Sequence, residues 1–331
     1  MRGLPPPWSI SAAGAVVARN AVDIRGLLSG DRVAVARAIS VVENGEDEAR
    51  ALLRALFART GRAYRIGITG PPGAGKSTIT SRLAAVYRSR GLGVGIIAVD
   101  PTSPFSGGAL LGDRVRMADV ETDPGVFIRS MASRGSLGGL SRKAVEAADI
   151  LDASGKEIIL METVGVGQSE LDIAAAADTT VVVLVPESGD SIQAMKAGLM
   201  EIADFFVLNK ADRAGADQAV MSIQMILHFR EAAPWNPAVV KSTASTGAGI
   251  EEIAALVDAH RAHLEAGGAL AEKRRARIAR RVGDIVNESL RVDFWSPERK
   301  ELLERRMDSV MSLSTSPYDV AEELITHFKS R

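Results

Sequence analysis

The segment "IGITGPPGAGKST", residues 66–78, constrains the fold of this chain more than any other. An apolar run leads into Gly70-x-x-x-x-Gly75-Lys76-Ser77, and "STITSRLAAVYRSRG" then reads as a helix. That order asks for a strand, a tight glycine loop and a helix N-terminus. Backbone N–H groups of such a loop cradle a phosphate. The lysine neutralises charge on the terminal phosphates, and the hydroxyl is offered to Mg2+. Gly70, Pro71, Pro72, Gly73, Ala74, Gly75, Lys76, Ser77 and Thr78 are the expected phosphate-binding residues.

A strand of this kind needs a sheet, and the rest of the chain supplies one. "YRIGIT", "VGIIAV", "VFIRSM", "EIILME", "TVVVLV", "DFFVLN" and "AVVKST" are rich in Val and Ile, with helical segments between most of them. The alternation implies an α/β fold with a mostly parallel sheet covered on both faces. Residues 1–61 hold no strand signal; "AVDIRGLLSG", "DRVAVARAISVVENG" and "EDEARALLRALFARTG" read as three short helices. After residue 265 strands cease again. Ile278, Val282, Ile285 and Val286 form an amphipathic stripe, and Leu303, Met307 and Val310 another. Ser316-Pro317 is an N-cap and N1 pair for a last helix bearing Val320, Leu324, Ile325 and Phe328. The expected organisation is a helical extension over 1–61, a P-loop domain over 62–265 and a helical arm over 266–331. The arm is too small to bury both faces of its helices alone, so it must pack on the central domain or on another chain.

The chain of 331 residues has no cysteine, which removes disulfides, Cys-ligated zinc, iron–sulfur clusters and thiol nucleophiles. Its net charge of −1 gives no overall field toward nucleic acid or an anionic membrane, and neither is expected as a partner. The basic run "KRRARIARR", 273–281, reads as a solvated or inter-subunit helix face. His260 and His263, at i and i+3, read as helix residues rather than a metal site. The apolar runs are of strand length, and prolines and Arg19 argue against reading the first residues as a secretory signal. A cytoplasmic location is expected.

The strand "DFFVLN" ends in "NKAD", 209–212, the guanine-reading motif of GTPases. The Asp212 carboxylate can accept from guanine N1 and N2, a pattern that adenine lacks. Asn209 and Lys210 would brace the loop and cover base and ribose. One strand later, Thr243, Ala244 and Ser245 of "KSTASTGAGI" resemble the loop whose backbone meets the guanine O6. Together these segments favour GTP over ATP.

"LMETVGVGQ", 160–168, ends another strand in Glu162, where aspartate is more usual. An acidic residue there holds Mg2+ directly or through water, and Gly165 would bring its N–H to the γ-phosphate. Asp100, ending the strand after the P-loop helix, is a second candidate for the metal's shell. The segment after it carries Asp113, Arg114 and Arg116 into a helix start. Asp113 could orient the attacking water and an arginine stabilise transferred charge; equally, Asp113 caps the helix and the arginines form a solvated face. Where the commonest small GTPases have glutamine after the glycine, Val166 stands here, with Gln168 two residues on. Lys76, Asp113, Arg114 and Gln168 are the catalytic candidates, and turnover is expected to be slow unless another chain completes the site.

The combination "GPPGAGKST", "DPTSPFSGGALLGDRVRM", "ETVGVGQSE" and "NKAD" closely resembles the MeaB-like GTPases that accompany adenosylcobalamin-dependent methylmalonyl-CoA mutase. These are also known as LAO/ArgK transport-system kinases. The resemblance covers most of the chain, both helical extensions included. It implies a SIMIBI-class GTPase that hydrolyses GTP to GDP with Mg2+, has no resident cluster or organic cofactor, and is homodimeric through the C-terminal arm. Such a protein gates cofactor loading and protects its mutase. One departure is that many SIMIBI relatives carry an extra lysine early in the loop, where Pro71 and Pro72 stand here. That makes lysine exchange across a nucleotide-sandwiched dimer unexpected. "ESGDSIQAMKAG", with Asp190 and Lys196, resembles a further segment that relays nucleotide state, or reads as a plain loop and helix start. A nickel-insertion GTPase would need His/Cys clusters, and a P-loop kinase would prefer ATP and need an acceptor pocket.

Overall fold

The seven Val/Ile-rich runs form one sheet, a seven-stranded one in the computed structural model, which describes residues 22–44, 46–100, 117–132, 142–163, 169–187, 198–229 and 234–330. The strands are β1 Tyr64–Thr69, β2 Val94–Asp100, β3 Val126–Ala132, β4 Ile158–Glu162, β5 Thr179–Leu184, β6 Phe205–Leu208 and β7 Val239–Lys241. Their spatial order is β3-β2-β4-β1-β5-β6-β7, and every pairing is parallel. All strand C-termini therefore share one edge.

The helices among the described residues are α1 Ile24–Leu28, α2 Arg32–Asn44, α3 Glu46–Leu56, α4 Lys76–Ser89, α5 Ala118–Glu121, α6 Arg142–Ala153, α7 Ser169–Ala176, α8 Leu199–Ile202, α9 Ala216–His228, α10 Ile250–Ala266, α11 Ala269–Phe294, α12 Pro297–Met311 and α13 Pro317–Lys329.

Alternation along the strands feeds two layers of core. Ile97 and Val99 of β2 and Ile159 and Met161 of β4 pack with Val35, Ile39, Val42 and Leu151 from α2 and α6. Ile66 and Ile68 of β1, Ile96 of β2 and Val181 of β5 face the other way, onto Ile79, Leu83, Ile253 and Val257 of α4 and α10. Strands covered on both faces can carry apolar residues at successive positions, as in 181–184 of β5 and 205–208 of β6. The N-terminal helices thus belong to one of the two covering layers. Arg32 of α2 also donates to the Val126 carbonyl at 2.8 Å, and Arg129 of β3 is paired with Glu43.

Register places the chemistry. Glu162, last in β4, lies level with Ile68 of β1 on one side and Ala98 of β2 on the other. Connections from β1 and β5 leave toward opposite ends of the sheet, so a crevice opens over their C-termini, where parallel α/β sheets bind ligands.

Residues 271–331 form a second compact unit. Ser296 caps α12 ahead of Pro297. Ser316 and Asp319 form a capping box ahead of Pro317, with the expected N-cap and N1 roles. Within this unit the buried Arg299 guanidinium lies 5.5 Å from the Phe294 ring centroid and 5.1 Å from that of Phe328. Val320 and Leu324 are buried, and Arg306 pairs with Glu323 at 2.7 Å. Ile278, Val282, Ile285, Val286 and Leu290 of α11 stay 40–56% exposed.

Candidate functional site

β1 runs into the glycine loop at the crevice. Gly70 has φ +133°, and a Cβ there would stand 2.0 Å from the Val183 carbonyl oxygen of β5. Gly75, which precedes α4, has φ +90°, and its Cβ would stand 2.2 Å from Asn209 Nδ2. Both glycines are thus demanded by backbone conformation and by a neighbour. Lys76 is buried and its Nζ reaches back across the loop, donating to the carbonyls of Gly70 at 2.8 Å and Pro71 at 3.0 Å.

Beside this loop, Ser77 Oγ donates to Glu162 Oε1 at 2.6 Å. The sheet register brings them together, since β4 lies between the strand that feeds the loop and β2. Thr80, one turn further along α4, reaches Glu162 Oε2 at 3.0 Å and its own helix's Lys76 carbonyl at 2.9 Å. The next residue, Thr163, shares a hydroxyl–hydroxyl hydrogen bond of 2.9 Å with Thr69 at the end of β1. A hydroxyl and a carboxylate side by side form an all-oxygen donor set, which fits Mg2+ and its usual reliance on one or two carboxylates plus substrate phosphates. Asp100 ends β2, the strand next to β4, although its side chain lies outside what is described. Gly165, Gln168, Asp113, Arg114, Arg116, Asp190 and Lys196 also lie outside the described residues.

The "NKAD" segment sits across the loop. Asn209 is buried and serves three elements at once. Its Nδ2 donates to the Ala74 carbonyl of the phosphate loop at 2.8 Å. Its Oδ1 accepts from Ser242 Oγ and from the Ala244 N–H, both at 3.1 Å. The Thr243 N–H goes to the Ala248 carbonyl at 2.9 Å, so the loop of Thr243, Ala244 and Ser245 is braced from within. Lys210 follows with φ +57°, a left-handed conformation uncommon outside glycine, at the turn that swings Asp212 outward. The Asp212 carboxylate is exposed, with Thr243 Oγ1 at 3.4 Å. Arg213 hydrogen-bonds Glu187, beyond β5, and holds that carboxyl below the usual range.

The motifs singled out from the sequence, so far as they are described, therefore meet at one edge of the sheet. Sequence reasoning missed Thr80, the Thr69–Thr163 pair and Ser242. Only Thr80 carried a signal, its position three residues after Ser77 on the same helix face. His260 is a packed residue, with Nδ1 2.8 Å from Thr179 Oγ1. No helix among the described residues is long and apolar enough to cross a membrane.

Residues 35–299 match the family model of the methylmalonyl Co-A mutase-associated GTPase MeaB. A presumptive GTPase of Pyrococcus abyssi is 48% identical over 307 residues, spanning 91% of this chain and 94% of that protein. The methylmalonic aciduria type A homolog of Mus musculus, a mitochondrial protein, is 34% identical over 92% of this chain and 79% of its own length. A crystal structure of an LAO/AO transport system kinase superposes with a TM-score of 0.72 at 28% identity, covering 95% of this chain and all of that one.

Proposed function

The chain belongs to the MeaB family of methylmalonyl-CoA mutase-associated GTPases, and from that premise we propose a Mg2+-dependent hydrolase of GTP that serves as a chaperone to an adenosylcobalamin-dependent mutase. The observation that carries the reading is Asn209, which ties the phosphate loop to both loops suited to hold a guanine base.

The residues then divide the work. Loop N–H groups from Gly70 to Thr78 and the ammonium of Lys76 hold the phosphates. Ser77, Glu162 and Asp100 would hold Mg2+, which when bound supplies positive charge against the β- and γ-phosphates. Asp212 accepts from guanine N1 and N2, with Asn209, Lys210, Thr243, Ala244 and Ser245 framing the base. Water attacks the γ-phosphorus, the bond to the β,γ-bridging oxygen breaks, and GDP and phosphate leave. Asp113, Gln168 and Arg114 are the candidates for orienting that water and stabilising transferred charge, with Gly165 near the γ-phosphate. With Val166 directly after Gly165, turnover of the isolated protein is slow.

The output is conformational. In this reading the GTPase gates adenosylcobalamin loading and protects the mutase in the cytoplasm. The exposed stripe on α11 supports a homodimer through the C-terminal arm. The test is turnover of GTP by the purified protein, alone and with methylmalonyl-CoA mutase, with ATP as control. Slow GTP hydrolysis that rises severalfold with the mutase, while ATP stays inert, is the expected result. GTP turnover that ignores the mutase removes the chaperone role, and a preference for ATP removes the guanine assignment.

A further inference from the structure

We propose that Thr80 is a positioning residue for the metal-holding carboxylate of Glu162, and that it is what allows a glutamate to stand where aspartate is usual. The inference rests on the reading that Ser77 and Glu162 hold Mg2+.

A glutamate carries one methylene and one torsion more than an aspartate, so a hydrogen bond to one carboxylate oxygen orients it less than hydrogen bonds to both. Ser77 and Thr80 stand at i and i+3 of α4, one above the other on the same face. Ser77 Oγ takes Oε1 at 2.6 Å and Thr80 Oγ1 approaches Oε2 at 3.0 Å, so each carboxylate oxygen has its own hydroxyl. Two contacts fix the plane of the carboxylate as well as its place. Glu162, Ser77 and Thr80 are all buried, so water competes little for these contacts.

Helix geometry alone does not account for the arrangement. A threonine inside a helix commonly donates to the carbonyl four residues back, and Thr80 stands 2.9 Å from the Lys76 carbonyl. That bond explains nothing of the approach to Oε2. One hydroxyl proton faces two acceptors, so it can go to the carboxylate when Glu162 is engaged and return to Lys76 when Glu162 moves away. The hydroxyl thereby keeps an acceptor in both arrangements, which makes the grip reversible. The neighbouring Thr69–Thr163 hydrogen bond fastens the following residue to the root of the phosphate loop. The end of β4 is therefore tied to the nucleotide loop through two successive side chains.

The experiment compares wild type, Thr80→Val and Thr80→Ser by titrating Mg2+ into the full-length protein with GDP, reading GDP affinity rather than turnover. Mn2+ binding by electron paramagnetic resonance provides a direct metal readout. Thr80→Val keeps the shape and removes the hydroxyl. It should raise the Mg2+ concentration for half-maximal effect about tenfold, the scale seen when a group that orients a metal ligand is lost. GDP affinity in EDTA should stay within about twofold of wild type, and Thr80→Ser should restore the Mg2+ response. Should the valine variant not fold, Thr80→Ala removes the same hydroxyl. The proposal is overturned if the hydroxyl-deleted protein keeps the wild-type Mg2+ response, or if it loses GDP equally with and without metal, which would mark a packing role. If wild-type GDP affinity itself ignores Mg2+ and Mn2+ does not bind, the metal assignment of Ser77 and Glu162 fails, and this inference fails with it.

Discussion

At the amino-terminal end of β1 the Tyr64 hydroxyl lies 2.6 Å from Thr179 Oγ1, which lies 2.8 Å from His260 Nδ1, and His260 Nε2 is 3.4 Å from Asp204. At the other end of the same strand stand Thr69, the glycine loop and the Ser77–Glu162 pair. Both ends carry buried hydroxyls in side-chain networks that reach a carboxylate, directly at the upper end and through His260 at the lower, so a buried polar network is not by itself a site. The lower network is fastened to the backbone. Asp204 also accepts from the Thr180 N–H at 2.7 Å, Trp235 Nε1 donates to the Asp204 carbonyl at 2.6 Å, and the Trp235 ring packs 4.8 Å from that of His260. Burial pushes the Tyr64 phenol well above its usual range, so it stays a neutral hydrogen-bonding group. The upper network instead ends on a glycine loop, a lysine folded over that loop, and an exposed Asp212. A glycine loop and an exposed carboxylate mark the upper end as the candidate for a ligand, in contrast to the lower end.

Substitutions should separate the two ends. The largest effect is expected at the upper one: Lys76→Met should lower GTP turnover by roughly 100-fold or more, since under the proposed function it removes the charge that meets the developing phosphate charge. A Lys76→Met enzyme with near-normal turnover would break the comparison. Below it, Asp204→Ala should cost about 3 kcal/mol of stability by stripping partners from buried donors, while leaving GDP affinity untouched. Denaturant unfolding and nucleotide titration on the same protein check both halves, and a loss of GDP affinity matching the loss of stability would contradict the division.

The smallest effect concerns Asp123, just ahead of β3 on the lower edge. The Arg88 side chain hydrogen-bonds its carboxylate, which holds the Asp123 carboxyl below its ordinary value. A depressed folded pKa means stability that is present above the ordinary carboxylate range and is lost as pH falls through the folded value. Asp123→Asn should therefore flatten the acid limb of the stability curve, by less than about 1 kcal/mol because the pair is partly exposed. An unchanged acid limb would show that the pair adds nothing measurable.

Much of the upper end was legible in the sequence because its requirements are local. Gly70, Gly75 and Lys76 lie within one short motif, and Glu162 at the end of β4 and Asn209 just after β6 follow apolar runs whose parallel pairing brings them to the same edge. Thr80 went unread despite its place three residues after Ser77, because that spacing alone does not separate a threonine bonded to its own backbone from one that meets a carboxylate of another strand. The lower network was illegible for a different reason. Tyr64, Thr179, Asp204, Trp235 and His260 are scattered singly over the chain and meet only once strand order is known. The N-terminal helices were readable as helices from their spacing, yet nothing in that spacing said which face of the sheet they would cover.

The most direct test of the account is the nucleotide preference of Asp212→Asn, measured as dissociation constants for GTP, XTP and ATP beside wild type. Two charge-assisted hydrogen bonds to guanine are at stake, each about 1.5–3 kcal/mol, so GTP affinity should fall by at least about 100-fold. XTP, whose altered base edge matches the amide, should gain, and ATP should bind weakly to both proteins. GTP affinity that survives the substitution would contradict the claim that the upper edge of this sheet reads guanine.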